Sequence, residues 1–401
     1  MNETARTPAL FTPEFIGLCL LVFLIYCNIT VFYNLYGFLA GIGIAPEWRG
    51  FLIGCSSLST IALFLVTGPF LTRRNAPRWA CLGAFLLLAC GLSYGLARGV
   101  AAILAVRLVH GAAISLLTAS CMTLLVSSIP PERGGQAFSF YSVAILLPYS
   151  IVPLVFDLLA PLLPSPAWGY GLMALLLLPA TAVIRGIDRR SRGGGPASAS
   201  APMGFRDMFA NARRPPVALL LTGNAVYLVT FSSLFFMAKS LFQHLGHANV
   251  GSFFTIQMCG MIAVRVLANR VFDRIPKARL IRVSFALSAA SFGVMAAATS
   301  LAMLYLAALV MGLGMGLGSP ALYGLMFSVS EPRFKAVNSN LMMVALQIGN
   351  FLGPMLGAFS VHQLGFSGFL AVDALVSLLG VLLGFLLVSR RVDPEGRIAA
   401  F

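Results

Sequence analysis

Residues 68–78 read Gly68-Pro69-Phe70-Leu71-Thr72-Arg73-Arg74-Asn75-Ala76-Pro77-Arg78, and residues 269–279 read Asn269-Arg270-Val271-Phe272-Asp273-Arg274-Ile275-Pro276-Lys277-Ala278-Arg279. Each is a short basic turn after a long apolar run, and Arg73 falls on Arg274 when the chain is slid along itself by about 201 positions. The same shift lays Gly50 on Gly251, Gly111 on Gly312 and Pro153 on Pro354, and brings Pro130-Pro131-Glu132-Arg133 close to Glu331-Pro332-Arg333. Nearly everything between these landmarks is apolar. The chain reads as one hydrophobic unit used twice.

Composition sets the class. Hydrophobic residues make up 59% of the 401 and charged ones 10%, with a mean hydropathy of +0.92, which excludes an ordinary soluble domain. A bilayer core needs about 20 apolar residues per helix. Twelve stretches qualify, at residues 14–40, 50–71, 78–97, 100–128, 135–160, 167–185, 217–243, 250–271, 280–298, 301–328, 336–362 and 367–388. The expectation is an all-α membrane protein of twelve transmembrane helices in two pseudo-symmetric six-helix halves, residues 1–185 and 217–401, a construction shared by many secondary transporters. The first apolar run is too long for a signal-peptide core and is expected to be retained.

The formal charge of +15 raises nucleic acid as a partner. The distribution of the cations answers it. Alternate loops hold Arg73, Arg74, Arg133, Arg274, Lys277, Arg333 and Lys335, among others, whereas the opposite loops keep Arg49 and Arg98. Topology accounts for the excess by the positive-inside rule, so both termini are expected in the cytoplasm, the protein in a bacterial-type inner (plasma) membrane, and no nucleic acid is implied. Residues 186–216 form a basic linker rich in Gly, Ser and Pro. Within it Phe205, Met208 and Phe209 lie among Arg206, Arg213 and Arg214, a pattern that fits an amphipathic helix on the membrane surface or a plain solvated linker.

All seven cysteines fall inside the proposed spans without a Cys-x-x-Cys pair, as packing residues do. Glycines crowd the tenth and eleventh spans at Gly312, Gly314, Gly316, Gly318, Gly349, Gly353 and Gly357, the spacing that lets helices touch in lipid.

The two basic turns resemble the Gly-x-x-x-Asp-Arg-x-Gly-Arg-Arg signature of the major facilitator superfamily, and Arg107-Leu108-Val109-His110-Gly111 resembles its fourth-span motif. The resemblance covers essentially the whole chain. It implies a twelve-span secondary transporter, an inner gate at Gly68, Arg73, Arg74, Asp273 and Arg274, and an Arg107 tied to proton coupling. Thr72 stands where that family usually has Asp, so the two halves are expected to gate unequally. The glycine-proline string typical of the fifth span in antiporters is missing there; a similar one, Gly349 to Gly357, sits in the eleventh.

Charges that break the repeat are the functional candidates, because ionisable groups inside a bilayer are costly. Arg107 aligns with Ala308, Arg265 with Phe64, Lys239 with Phe38 and Asp157 with Ala358. Arg265 would either bind substrate or extend the inner gate. Lys239, near the outer end of its span, reads as a snorkelling residue. Asp157 and Asp373 would carry a proton or pair with a cation. The resemblance implies a cavity lined by the first, fourth, seventh and tenth spans, so Asn28, Tyr33, Asn34, Arg107, Asn224, Tyr227 and Arg265 are expected to bind substrate.

The functional expectation is alternating access: a proton-coupled transporter of a small organic solute, anionic or zwitterionic because buried arginines outnumber buried carboxylates, working as an exporter and as a monomer. No phosphate loop or nucleophile-base pair points to an enzyme, and no cofactor is implied. Two alternatives stay open. One is a copper-type transporter using His244, His247, Met237, Met258, Cys259 and Met261. The other is a drug-type exporter of lipophilic cations.

Overall fold

The computed structural model describes residues 11–67, 70–128, 134–191, 205–267 and 275–389, and their regular elements are helices. In the first half these are α1 (Pro13–Thr30), a 3-10 turn (Val31–Asn34), α2 (Leu35–Gly41), α3 (Pro46–Gly54), α4 (Ser56–Thr67), α5 (Ala76–Ser93), α6 (Gly99–Ser128), α7 (Gly134–Leu159), α8 (Pro166–Leu175) and α9 (Leu178–Ser191). A short α10 (Phe205–Ala212) follows in the linker. The second half holds α11 (Pro215–His244), α12 (Gly251–Leu267), α13 (Lys277–Ala296), α14 (Leu301–Val329) and α15 (Lys335–Ser389).

Among the described residues, ten helices are long and apolar enough to cross a membrane, where twelve spans were expected. The difference has two causes. Residues Val337–Leu387 run as one element but contain Gly365 at φ 69, ψ −174, which is not helical, so the eleventh and twelfth spans meet there. Only glycine takes that backbone conformation without strain. The eighth span, α12, has 17 described residues before residue 268, outside the described set, is reached.

Local chemistry decides where the spans begin and bend. Thr12 caps α1, its hydroxyl accepting the Phe15 N–H at 3.2 Å, with Pro13 in the first turn. The first span then tightens into the 3-10 turn. The Thr30 hydroxyl bonds back to the Tyr26 carbonyl at 2.8 Å, and such back-bonding bends helices. The sixth span breaks between α8 and α9, just before Pro179, which lacks an N–H to continue the ladder.

Followed span by span, the turn at residues 70–75 and α10 fall at one end of the bundle, termed the linker end; the turns at Gly43, Gly246 and Gly365 fall at the far end. The halves face each other through three helix pairings: α3 and α4 on α15, α12 on α7, and the outer part of the first span on α11. One apolar core runs across both halves, and close helix contacts recur inside each half. Gly111 of α6 packs on the Ser56 carbonyl of α4, and its repeat mate Gly312 of α14 packs on the Gln257 carbonyl of α12.

Candidate functional site

The repeat extends to the contact between the halves. A methyl group placed on Gly50 would lie 2.8 Å from both the Ala358 Cβ and the Pro354 carbonyl oxygen. One placed on Gly251 would run into the backbone of Pro153 and Leu154. Gly50 and Gly251 are repeat mates, as are Pro354 and Pro153, so the halves close at the far end through two copies of one glycine-on-proline contact.

The copies are not identical: Met355 stands in one where Leu154 stands in the other, and one position holds a charge in one copy alone. Where the α3 contact has Ala358, the α12 contact has Asp157, whose carboxylate takes four hydrogen bonds. Oδ1 accepts from the Tyr33 hydroxyl at 2.7 Å and from Lys239 Nζ at 2.6 Å. Oδ2 accepts from the backbone N–H groups of Val250 at 2.6 Å and Gly251 at 2.8 Å, at the start of α12. Asp157 and Tyr33 belong to the first half; Lys239, Val250 and Gly251 belong to the second. The arrangement is a charged clasp between halves, with the carboxylate at a helix N-terminus where the dipole favours it. Lys239 therefore does not snorkel. Its ammonium turns inward because a buried carboxylate on the other half is within reach, and it also donates to the Ala248 carbonyl at 2.5 Å.

Deeper in the bundle, Arg265 of α12 crosses to the first half and donates from Nη1 to the Ser142 hydroxyl of α7 at 2.6 Å. Its Nε is buried without a partner among the described residues. About two turns along α7 from Ser142, aromatic rings from both halves meet between α7 and α11: Tyr149 lies edge-on to Phe231 at 5.4 Å and Phe235 at 5.2 Å, with Tyr26 at 6.1 Å. Asn34 Oδ1, Asn224 Oδ1 and Gln257 Oε1 are also buried without partners among the described residues. An unpaired buried polar atom costs about 1–3 kcal/mol, so these atoms are ones a bound solute could satisfy.

The other expected residues fall into helix packing. Asn28 donates from Nδ2 to the carbonyls of Leu24 and Met173, both at 3.0 Å, fastening α1 to α8. Asn224 donates to the Met342 carbonyl at 2.8 Å and Tyr227 to the Met315 carbonyl at 2.8 Å. Arg107, buried, donates from Nε to the Leu52 carbonyl at 3.0 Å and from Nη2 to the Ile53 carbonyl and the Ser56 hydroxyl. Those carbonyls end α3, so the guanidinium caps the break in the second span, against the face of Phe32 at 5.8 Å.

Asp373 is fully buried in the twelfth span. Its Oδ2 accepts from the Ser233 hydroxyl at 2.8 Å and its Oδ1 has no partner among the described residues. Of the expected gate residues, Arg73 pairs with Glu14 at 3.2 Å within the first half, and Arg74 is exposed. Gly68, Asp273 and Arg274 lie outside the described residues.

The described residues hold no cluster of three His, Cys, Asp or Glu suited to a metal. Met258 and Met261 are buried while Cys259 is exposed, and His244 stacks on Phe366 at 4.8 Å. Sequence reasoning missed Ser142, Tyr149 and Gln257 because it searched for charges that break the repeat and for polar groups on the first, fourth, seventh and tenth spans, whereas these lie on the fifth and eighth. Gln257 carried a signal, since it aligns with Ser56 and both are polar in an apolar span.

The whole fold recurs in solved transporters. A bacterial homologue of the human lysosomal transporter Spinster, inward-facing and unoccupied, matches with a TM-score of 0.75 at 15% identity, covering 97% of this chain and 98% of that one. The same protein in its occupied form gives a TM-score of 0.72 at 15% identity, covering 96% and 98%. The human organic anion transporter MFSD10 (TETRAN) gives 0.67 at 19% identity, covering 93% and 99%. No curated protein sequence matches the chain. The family model described as Major Facilitator Superfamily matches residues 18–248 and 220–401. With two halves of one repeat, apolar helices throughout and a family match across both halves, the chain is a membrane transporter belonging to the Major Facilitator Superfamily.

Proposed function

We propose that the protein carries a small organic anion or zwitterion across a bacterial inner membrane by alternating access, coupled to protons and in the direction of export. The observation that carries this reading is Arg265, a guanidinium in the contact between halves with a buried unpartnered Nε. A carboxylate-bearing solute bound there would take a charge-assisted hydrogen bond from one half while touching the aromatic wall of both. The likeness to a solved organic anion transporter supports the choice. The clustering of cations in alternate loops supports a cytoplasmic linker end and cytoplasmic termini.

In this reading the far end is the outer side. The Asp157 clasp and the two glycine contacts hold it shut, and the solute reaches Arg265 from the cytoplasm. Asp157 and Asp373 are the proton candidates; Asp157 also latches the gate, whereas Asp373 has a free carboxyl oxygen. Tyr149, Phe231 and Phe235 support a second reading, export of a lipophilic cation held on aromatic faces. Thermal unfolding of the purified protein separates the two. A ligand at 100 times its Kd adds about 2.7 kcal/mol of stability. Stabilisation by aromatic carboxylates that disappears in Arg265→Ala supports the anion reading. Stabilisation by lipophilic cations, unchanged in that variant, overturns it.

A further inference from the structure

At the linker end, α10 is fixed to the second half by a chain of side chains. Asn211 Nδ2 donates to Asn338 Oδ1 at 2.5 Å, and Asn338 Nδ2 donates to the Ser330 hydroxyl at 2.7 Å. This fixes the residues after α10 beside the turn that joins α14 to α15. Arg214 and Arg333 both bind the Glu331 carboxylate and both lie over the Phe334 ring, at 5.4 and 4.6 Å. Arg213 lies over Phe209 at 4.3 Å and Lys335 over Phe327 at 3.9 Å.

The plate is unbalanced in charge. Arg206 and Asp207 offset each other in the sequence of α10, which leaves Arg213, Arg214, Arg333 and Lys335 against Glu331. It is also unbalanced in polarity, because Phe209 is 58% exposed and Phe327 59% exposed directly beneath cations. Aqueous phosphate would satisfy the cations and leave the rings in water. A lipid satisfies both, with its phosphate on the cations and its acyl chains on the rings.

We propose that this plate is a binding site for an anionic phospholipid of the leaflet on the linker side, with Arg213 and Lys335 as its main headgroup contacts. Glu331 already occupies Arg214 and Arg333, so Arg213 and Lys335 are the cations whose charge is left for a lipid. The site is independent of the solute that the protein carries, since it lies at the bundle end, between the linker and the turn joining α14 to α15.

The test uses the full-length protein in detergent, titrated with phosphatidylglycerol, phosphatidylcholine or inorganic phosphate, with bound lipid counted by native mass spectrometry. Phosphatidylglycerol is expected to bind in preference to phosphatidylcholine. Its affinity should fall about 5-fold for each of Arg213→Gln and Lys335→Gln, the usual effect of one surface cation on anionic-lipid binding. Neither residue touches Glu331, so the network behind them is kept. Arg213→Lys and Lys335→Arg keep the charges and should retain binding, which separates a headgroup contact from damage to the fold. Equal binding of phosphatidylcholine, or phosphatidylglycerol binding unchanged in the glutamine variants, overturns the proposal. Displacement of the lipid by millimolar inorganic phosphate would also overturn it, making the plate a soluble-anion site.

Discussion

Replacing Asp157 with asparagine should open the far end of the transporter. The carboxylate serves four donors, and an amide oxygen cannot serve Tyr33, Lys239 and the N–H groups of Val250 and Gly251 together. The new NH2 group would face either an ammonium or a helix N-terminus. Removing one partner of a buried ion pair costs about 3–5 kcal/mol. Because Lys239, Val250 and Gly251 belong to the opposite half, that cost falls on the closed arrangement and not on the fold of either half. At about 1.4 kcal/mol per factor of ten, the closed-to-open ratio drops by a hundred- to several-thousand-fold. A cysteine at Ser150 reports the change, since Ser150 is buried under Thr255, whose hydroxyl bonds to its carbonyl across the contact at 3.0 Å. In a Cys259→Ser background, a membrane-impermeant maleimide added at the far side should label Ser150→Cys much faster when Asp157 is asparagine. Lys239→Met should do less, because the carboxylate keeps Tyr33 and two N–H donors. The double variant should return toward the parent, with no buried charge left unpaired. Labelling of folded Asp157→Asn at the parent rate would refute the clasp.

Gly312→Leu should lower the unfolding temperature, since overpacking inside one half costs about 1–3 kcal/mol; Gly251→Leu should instead leave each half folded and speed Ser150→Cys labelling, because its obstruction lies between halves. Asp373→Asn keeps the acceptor for Ser233 and should fold normally; in proteoliposomes it should still exchange solute while losing the dependence on an imposed proton gradient. Hydrogen bonds first from Arg214 and then from Arg333 hold the Glu331 carboxyl below its ordinary value of 4.5, so its contribution to stability is present above that value and fades as the pH falls through the lower folded one. Thermal unfolding in acid should therefore depend on pH slightly less in Glu331→Gln than in the parent, and only below about pH 4.5.

The fold was legible because its cause is a count. Twelve apolar stretches and a repeat visible in Gly50, Gly251, Pro153 and Pro354 dictate the architecture before any contact is known. Asp157 and Arg265 were equally visible as charges without a repeat mate. What each touches was not, because partners across the halves are set by how two rigid bodies meet, and nothing local in sequence links Asp157 to Val250. Lys239 shows the limit. Its position near a span end fits snorkelling as well as a buried pair, and only the carboxylate 2.6 Å away decides. The buried roles of Asn28 and Asn224 were illegible for a related reason, since an amide facing a neighbouring carbonyl and one facing a cavity have the same sequence pattern.

The buried charge that one far-end contact has and the other lacks also bears on energetics. At the α3 contact, Gly50 packs on Ala358 and the exposed Glu47 lies 3.8 Å from His362 of α15; at the α12 contact, Asp157 adds a buried latch. A two-state transporter needs the energies of its forms to lie within a few kcal/mol, since a change from 1:99 to 99:1 takes about 5.5 kcal/mol. Leaving one partner of such a latch unpaired costs about 3–5 kcal/mol, which is of that size, and a second latch at position 358 would overshoot it. The duplicated glycine contact then supplies the shape for closing, and the unduplicated charge sets the equilibrium. On this argument Ala358→Asp should stall the cycle with the far end closed, provided the new carboxylate finds donors at the start of α3, whose Glu47 would oppose it. Slower Ser150→Cys labelling together with reduced turnover is the expected outcome. Faster labelling would show that Glu47 repels the new charge and that the N-terminus of α3 cannot replace that of α12.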